Sequence, residues 1–340
     1  MLQTLLTEPF TIHLGDSPVP EPRIGEVLIR LTMTGICGSD VHMFKKGNTE
    51  EGPLTIGHEG IGIIEKVGEG ISSGRVGERV VIEPNIPCSN CPECRSGRGN
   101  TCRNKRIIGV REHGCFAEYI AIPDAFAHSI PENIHDIDAV VIEPAAIALA
   151  ALNRSKAKPG DTIAVIGLGS IGLLLTHIAL SLGYKVLVSE LTESKIKVAT
   201  YMGATLIHEG KSREETGEVL ERVFEEEEIV TLFECAGSEK SVTMAIEASP
   251  RGCEVILLGM ADSGAIFSPR LISRKGNNII PSLVYDHPYD FKRCIRLIDY
   301  GIIKPGFIVS GFYALENLQE ALAEAVTGNE IKIVISISGN

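Results

Sequence analysis

Four closely spaced cysteines form the most specific chemical pattern in this 340-residue chain. Two residues separate Cys88 from Cys91 and Cys91 from Cys94, and Cys102 follows after seven more. Four thiolates at such spacing can surround one tetrahedral zinc ion and leave no position open for a substrate. The pattern therefore predicts a structural zinc site, with an iron–sulfur cluster or disulfides as the alternatives.

A second set of metal-binding residue types lies upstream. Cys37 supplies a thiolate, and His58 supplies an imidazole followed directly by the carboxylate of Glu59. By themselves, Cys37 and His58, which lie 21 residues apart, give only a modest hint of a metal site. Taken alone, His58 also fits the alternative that it is a structural histidine held by hydrogen bonds.

A glycine-rich turn between a buried strand and a helix predicts a dinucleotide site. The turn reads G-x-G-x-x-G, from Gly167 through Gly169 to Gly172. These glycines permit a tight turn, a close approach of the pyrophosphate and close packing of the helix on the strand. The helix then begins at Ser170 and Ile171, where free N–H groups would face the phosphates.

Glu190, at the end of the next predicted strand, indicates which cofactor binds. A carboxylate there can accept hydrogen bonds from the adenosine ribose hydroxyls and would repel a 2′-phosphate, so we predict NAD rather than NADP. Lys195 is close enough along the chain to reach the adenine end and weakens that preference. Cys235 and Leu258, which follow two later strands, are further predicted cofactor contacts.

Two kinds of secondary-structure pattern must position these residues. The first part of the chain, to about residue 145, contains short β-type runs punctuated by Gly and Pro, which predicts a compact barrel-like β domain. From about Lys158, strands and helices alternate, which predicts a doubly wound parallel sheet. The expected fold class is therefore α/β.

Composition limits the classes of partner. The formal net charge of −12 argues against nucleic acid or an anionic membrane. The first residues lack the basic start and apolar core of a signal peptide. Residues 163–182 are mostly apolar, but their glycines fit a strand, a turn and a helix better than a membrane span. We expect a cytoplasmic protein that acts on a small molecule.

The segment Gly57-His58-Glu59-x2-Gly62-x5-Gly68 resembles the zinc signature of the medium-chain dehydrogenase/reductase superfamily. The cysteine group and the glycine turn follow in that family's order, so the resemblance covers essentially the whole chain. It implies a GroES-like catalytic domain over residues 1–145, to which residues 281–340 return, and a Rossmann domain over 146–280. It also implies that Cys37 and His58 bind a catalytic zinc.

The third protein ligand of that zinc separates branches of the family. Classical alcohol dehydrogenases place a cysteine shortly before the Rossmann domain, whereas this chain has Glu143 followed by Pro144. The difference resembles the polyol, sugar-acid and threonine dehydrogenase branches, in which Glu59 or the equivalent of Glu143 completes the sphere. The choice between these carboxylates stays open, as does a role of Glu143 in a salt bridge.

The resemblance implies an alcohol oxidation. Zinc would lower the pKa of a substrate hydroxyl, and the alcohol carbon would pass a hydride to the nicotinamide of NAD. Ser39 would take the hydroxyl proton and His42 would pass it to water, because imidazole titrates in the useful pH range. The alternative is that His42 is an ordinary surface histidine.

The predicted substrate is a polyol or sugar acid with a secondary alcohol. L-Threonine and simple alcohols are the alternatives, and a relative that binds NAD without turnover is a further possibility of a different class. Polar and aromatic side chains are the predicted substrate contacts, namely Arg111, His113, Phe116 and Tyr285. By analogy with related enzymes we expect a homo-oligomer, a dimer or a tetramer.

Overall fold

The computed structural model describes residues 1–47, 52–207, 213–261 and 263–337, with only the backbone described for 213–216. Two compact units divide the chain. The first contains Met1–Glu143 and Asp286–Asn340, and the second contains Pro144–Tyr285. The sequence predicts these boundaries after residues 145 and 280.

The first unit contains mostly strands, joined by turns and a few helices, and the second alternates strands with helices. The strands are β1 (Leu2–Glu8), β2 (Thr11–Asp16), β3 (Glu26–Gly35), β4 (Glu59–Val67), β5 (Arg79–Ile82), β6 (Asn85–Ile86), β7 (Arg106–Ile107), β8 (Tyr119–Pro123), β9 (Ala127–Ser129), β10 (Thr162–Ile166), β11 (Lys185–Ser189), β12 (Thr205–Leu206), β13 (Thr231–Glu234), β14 (Glu254–Leu257), β15 (Asn278–Pro281), β16 (Val309–Ala314) and β17 (Lys332–Ser336). The helices are α1 (Gly38–Lys46), α2 (Pro92–Arg95), α3 (Asp136–Ala139), α4 (Ile142–Arg154), α5 (Ser170–Ser181), α6 (Glu193–Tyr201), α7 (Arg213–Glu226), α8 (Glu239–Ala248), α9 (Pro269–Lys275), α10 (Tyr289–Asp299) and α11 (Leu318–Thr327).

A mostly antiparallel sheet organises the first unit. Its strands run in the order β16-β17-β3-β4-β5-β9, and β8 also pairs with β3. Val27, Ile29 and Leu31 alternate along β3 and are fully buried, as expected for a strand with one face on a core. Strand β17, from the C-terminal segment, pairs antiparallel with the end of β3. The sheet therefore joins an N-terminal strand and a C-terminal strand next to Cys37.

A six-stranded parallel sheet organises the second unit. Its order is β12-β11-β10-β13-β14-β15, and every pairing is parallel. Residues Ile163–Ile166 of β10 are all buried, which is typical of a strand covered on both faces. The strand order reverses at β10, where doubly wound sheets bind their ligands at the carboxyl ends of the strands. The predicted α/β fold class is confirmed.

The apolar stretch at 163–182 consists of β10, the glycine turn and α5. Helix α5 has only 12 residues, too few to cross a bilayer. In the part of the chain that the structure describes, no helix combines the length and the apolar character that a membrane span needs.

Candidate metal centres and cofactor loop

The four closely spaced cysteines converge around a common point. One sulfur from each of Cys88, Cys91, Cys94 and Cys102 lies within 4.8 Å of the others, and all four are free thiols. The sulfur of Cys91 lies 3.4 Å from that of Cys94 and 3.7 Å from that of Cys102. Sulfurs bound to one tetrahedral zinc lie about 3.8 Å apart. The geometry fits a closed zinc site.

The local backbone prepares these thiols for a metal. Helix α2 begins at Pro92, directly after Cys91, and turns Cys94 back towards its partners. Backbone N–H groups of Asn90 and Cys91 lower the pKa of the Cys88 thiol to about 6. Burial and the neighbouring sulfurs raise the pKa of Cys94 to about 12. Four thiolates therefore need a cation among them, which zinc supplies.

The register of β3 and β4 assembles the second group. Gly35 pairs with Glu59 across the two strands, which places Cys37, just beyond β3, beside the start of β4. The ligand atoms of Cys37, His58 and Glu59 lie within 4.8 Å of one another. A Cβ atom on Gly35 would lie 2.0 Å from Glu59 Oε2, so only glycine allows this approach. Sulfur, imidazole and carboxylate together form a donor set suited to a catalytic zinc.

Asp40, which the sequence analysis missed, lies behind this group. It is fully buried, and its carboxylate accepts hydrogen bonds from the N–H groups of Cys37 at 2.8 Å and Gly57 at 3.1 Å. Its Oδ1 also lies 3.4 Å from His58 Nδ1. Burial alone would lower the pKa of His58, but Asp40 and Cys37 outweigh it and raise that pKa well above its usual value. A carboxylate behind a histidine orients the ring for metal binding.

The carboxylate of Glu59 also faces a buried cation. Lys332 Nζ donates to both of its oxygens, at 2.7 and 2.8 Å, and to the carbonyl of Ile36 at 2.9 Å. Only 2% of Lys332 and 1% of Glu59 is exposed. Burial opposes the charge on the lysine, but Glu59 prevails and raises the pKa of Lys332. The ion pair therefore fixes the position of the Glu59 carboxylate beside Cys37 and His58.

Three further predicted residues of the catalytic group occupy helices. Ser39 and His42 lie three residues apart on α1, a spacing that places them on one face, with Ser39 half-buried and His42 exposed. Glu143 is buried in the first turn of α4 and is not a member of the group formed by Cys37, His58 and Glu59.

The glycine turn has the conformation that its sequence predicts. Gly167 has a φ of +90°, and a Cβ there would lie 2.7 Å from the backbone nitrogen of Ala236. A Cβ on Gly172 would lie 2.0 Å from the carbonyl oxygen of Gly167. Ser170 and Ile171 are the first residues of α5, and both are half-buried. The helix N-terminus therefore follows the turn directly, as an anion site requires.

Glu190 lies beside this turn. Its carboxylate accepts hydrogen bonds from the N–H groups of Leu168 at 2.6 Å and of Leu191 and Thr192 at 2.9 Å. Burial tends to raise the pKa of Glu190, but these three donors outweigh it and lower the pKa. Lys195 is half-buried on the following helix, α6. The carboxylate is thus held ionised at the carboxyl end of β11.

Sequence comparisons identify the family. Residues 23–132 match the alcohol dehydrogenase GroES-like domain family, and residues 170–300 match the zinc-binding dehydrogenase family. D-xylulose reductase A from Aspergillus oryzae is 30% identical over 336 residues, which cover 96% of this chain and 93% of the relative. This chain belongs to the zinc-binding dehydrogenases. The resemblance to medium-chain dehydrogenases is therefore confirmed, and with it the predicted enzyme class.

Other zinc-binding dehydrogenases are similar over nearly their whole length. Sorbitol dehydrogenase from Bacillus subtilis is 29% identical over 93% of this chain and 90% of its own. The crystal structure of an alcohol dehydrogenase from Escherichia coli CFT073, complexed with NADH, superposes with a TM-score of 0.91 at 27% identity and covers 99% of both chains.

The remaining predicted residues of this zinc-binding dehydrogenase lie in different surroundings. Cys235 directly follows β13, and its N–H donates to the carbonyl oxygen of Ile166 at 2.8 Å. Leu258 directly follows β14, and its N–H donates to the carbonyl oxygen of Glu234 at 2.9 Å. Among the predicted substrate contacts, Phe116 is fully buried with its ring against Gly57. Two others, Arg111 and His113, are exposed, and Tyr285 is buried.

Proposed function

We propose that this zinc-binding dehydrogenase oxidises a secondary alcohol of a polyol or sugar acid to a ketone and transfers the hydride to NAD. The group formed by Cys37, His58 and Glu59 is the observation that carries the proposal, because its third donor is a carboxylate. Two similar proteins are named for polyol chemistry, a D-xylulose reductase and a sorbitol dehydrogenase. Both names support a polyhydroxylated substrate for this chain.

The proposed ligands of the catalytic zinc are Cys37, His58 and Glu59, and the four clustered cysteines hold the structural zinc. When bound, the catalytic zinc supplies a Lewis acid that lowers the pKa of the substrate hydroxyl, and NAD accepts the hydride. Glu59 is favoured over Glu143 because its carboxylate already lies in the group with the thiol and the imidazole. The role of Asp40 is to keep the His58 ring in orientation.

Lys332 adjusts the strength of Glu59 as a ligand. Its Nζ shares both carboxylate oxygens, so it competes for the electron density that Glu59 offers a metal. An exchangeable third ligand suits a site that must admit a substrate oxygen. Cys37 and His58 would hold the zinc, and Glu59, which Lys332 also contacts, would be its exchangeable ligand.

The proton released by the substrate leaves along α1 in this proposal. Ser39 Oγ would accept it while giving up its own hydroxyl proton towards His42, and the His42 imidazole would pass a proton on to water. The half-buried position of Ser39 and the exposed position of His42, on one helix face, support this order from interior to solvent.

Glu190 is proposed to select NAD. Its three backbone hydrogen bonds hold it ionised, and a fixed negative charge would repel the 2′-phosphate of NADP. The turn from Gly167 to Gly172 and the start of α5 would receive the pyrophosphate. Contacts with Lys195, Cys235 and Leu258 belong to the same proposal.

Two broader expectations also remain proposals. A reducing compartment such as the cytoplasm suits a chain whose cysteines are free thiols. A homo-oligomer is expected by analogy with related polyol dehydrogenases, and light scattering on the purified protein would count the subunits.

The central experiment measures NADH formation by absorbance over sugar acids, alditols, inositols, L-threonine and simple alcohols. Each substrate is tested with and without a metal chelator, and with NADP in place of NAD. Chelator-sensitive turnover of a polyhydroxylated substrate is the expected result. Turnover of L-threonine or a simple alcohol alone would contradict the substrate class, while turnover that survives complete removal of zinc would contradict the metal chemistry.

A further inference from the structure

Glu83, His128 and His287 form a third group of metal-binding side chains, separate from both zinc sites. One ligand atom from each lies within 4.8 Å of the others. Glu83 follows β5, His128 is the central residue of β9, and His287 lies two residues before α10. Strands β5 and β9 are antiparallel neighbours, so the sheet itself brings the first two side chains together. His287 lies 204 residues after Glu83 in the sequence.

Both imidazoles face the same carboxylate oxygen of Glu83. His128 Nε2 lies 2.6 Å from Glu83 Oε2, and His287 Nδ1 lies 2.7 Å from the same atom. Glu83 is completely buried, and its second oxygen, Oε1, has no hydrogen-bond partner among the described residues. In the described parts of the chain, no lysine or arginine pairs with Glu83, and the two histidines count as cations only when they are protonated. A buried carboxylate of this kind calls for a cation.

Aromatic rings hold both imidazoles in place. Phe126 stacks on His287, with ring centroids 4.4 Å apart and planes 22° from parallel. Phe291 stacks on His128, with centroids 5.1 Å apart and planes 24° from parallel. The imidazoles are therefore oriented before any ligand binds, which reduces the entropy that binding would cost.

We propose that Glu83, His128 and His287 bind one further divalent transition-metal ion, for which zinc is the best match. Two imidazole nitrogens and one carboxylate oxygen are donors that zinc accepts, and a tetrahedral ion would keep a fourth position for water or an anion. Donors around such an ion lie about 3.3 Å apart, so each histidine would move outwards by roughly 0.6 Å.

His128 also borders a cavity in the first unit. Its side chain lines a cavity of about 480 Å³, together with residues such as Arg75, Lys292 and Arg296. The basic side chains favour water or an anion in the fourth position over another protein cation. A metal here would tie the start of the C-terminal segment, at His287, to strands β5 and β9. The expected role is therefore structural reinforcement of this unit.

The first test is a comparison of zinc content between the wild-type protein and two variants. His287→Gln removes a partly exposed ligand, and His135→Gln removes an exposed histidine outside the group. After incubation with zinc and dialysis, mass spectrometry of the metal should show one zinc per chain fewer in His287→Gln than in the wild type. His135→Gln should match the wild type. Equal zinc in all three proteins would overturn the proposal.

A second measurement covers the case in which His287→Gln does not fold. Crystals of the zinc-loaded wild-type protein should show an anomalous difference peak, at the zinc absorption edge, between Glu83 Oε2 and the two imidazoles. Density without such a peak, with the histidines still at hydrogen-bond distance from Glu83, would mean that the group binds only protons. Because both readouts locate or count metal, they are independent of turnover and of the proposed substrate.

Discussion

Lys332 Nζ donates hydrogen bonds to both carboxylate oxygens of Glu59, although 273 residues separate the two in the sequence. Lys332 is the first residue of β17 and Glu59 is the first residue of β4, and both strands pair with β3. The group formed by Cys37, His58 and Glu59 therefore depends on the C-terminal segment as well as on the N-terminal strands. A charged pair this deeply buried couples the stability of the unit to the geometry of the proposed metal site.

Replacement of Lys332 should destabilise the protein. Lys332→Met leaves Glu59 buried without its cation, and we expect a loss of about 3 kcal/mol, because removal of one partner from a buried pair costs about 3–5 kcal/mol and a metal nearby offsets part of the charge. Urea unfolding measures the loss, with the exposed Lys240→Met as the control. The double variant Glu59→Gln/Lys332→Met should recover part of the stability. An unchanged urea midpoint in Lys332→Met would contradict the coupling.

A methyl group at Gly35 should remove the catalytic metal. The added Cβ would lie 2.0 Å from Glu59 Oε2 and would force that carboxylate away from Cys37 and His58. We expect Gly35→Ala to hold one zinc per chain fewer than the wild type and to lose most turnover. Gly38→Ala is the matched control, because nothing lies within 4 Å of the corresponding Cβ. Full zinc content in Gly35→Ala would argue that Glu59 is not a ligand and would favour Glu143 as the third ligand.

The preference for NAD should weaken when Glu190 loses its charge. In Glu190→Gln we expect the ratio of kcat/KM with NAD to kcat/KM with NADP to fall about tenfold, which corresponds to about 1.4 kcal/mol of lost discrimination. Glu193→Gln, on the exposed side of α6, should leave the ratio unchanged. A wild-type enzyme that favours NADP tenfold would show that the role proposed for Glu190 is wrong.

The same carboxylate should contribute to stability in a pH-dependent way. Burial tends to raise the pKa of Glu190, but the stronger effect of three backbone N–H groups lowers it below the usual 4.5. The ionised form therefore stabilises the folded state above pH 4.5, and this contribution is lost as the pH falls through the lowered pKa. In urea unfolding, Glu190→Gln should be less stable than the wild type at pH 7, and the difference should shrink as the pH falls below 4.5. A stability difference that does not change with pH would contradict this assignment.

Removal of the His42 imidazole should slow proton release. We expect His42→Ala to lower kcat about tenfold, less than the 100-fold typical of a direct acid–base partner, because water can replace an exposed group. The dependence of kcat on pH should change as well. His13→Ala, an exposed histidine on β2, should leave both unchanged. If His42→Ala behaves like the wild type, the proton does not leave through this residue.

Local spacing was sufficient to predict the parts of the site that one loop or turn encodes. The thiols from Cys88 to Cys102 converge because a short segment with turns can wrap one ion without help from distant residues. The turn from Gly167 to Gly172 follows from the strand and helix on either side of it. The carboxylate of Glu190 beside the turn follows from the parallel pairing of neighbouring strands.

Only the tertiary structure decided which distant groups meet. The pairing of Lys332 with Glu59 requires β17 to lie beside β3, and the approach of His287 to Glu83 requires the C-terminal segment to return to the first sheet. The burial of Asp40 behind His58 likewise depends on the path of the chain at the start of β4. Sequence spacing contains no measure of such contacts, because strand order and register are set by how the whole apolar core packs.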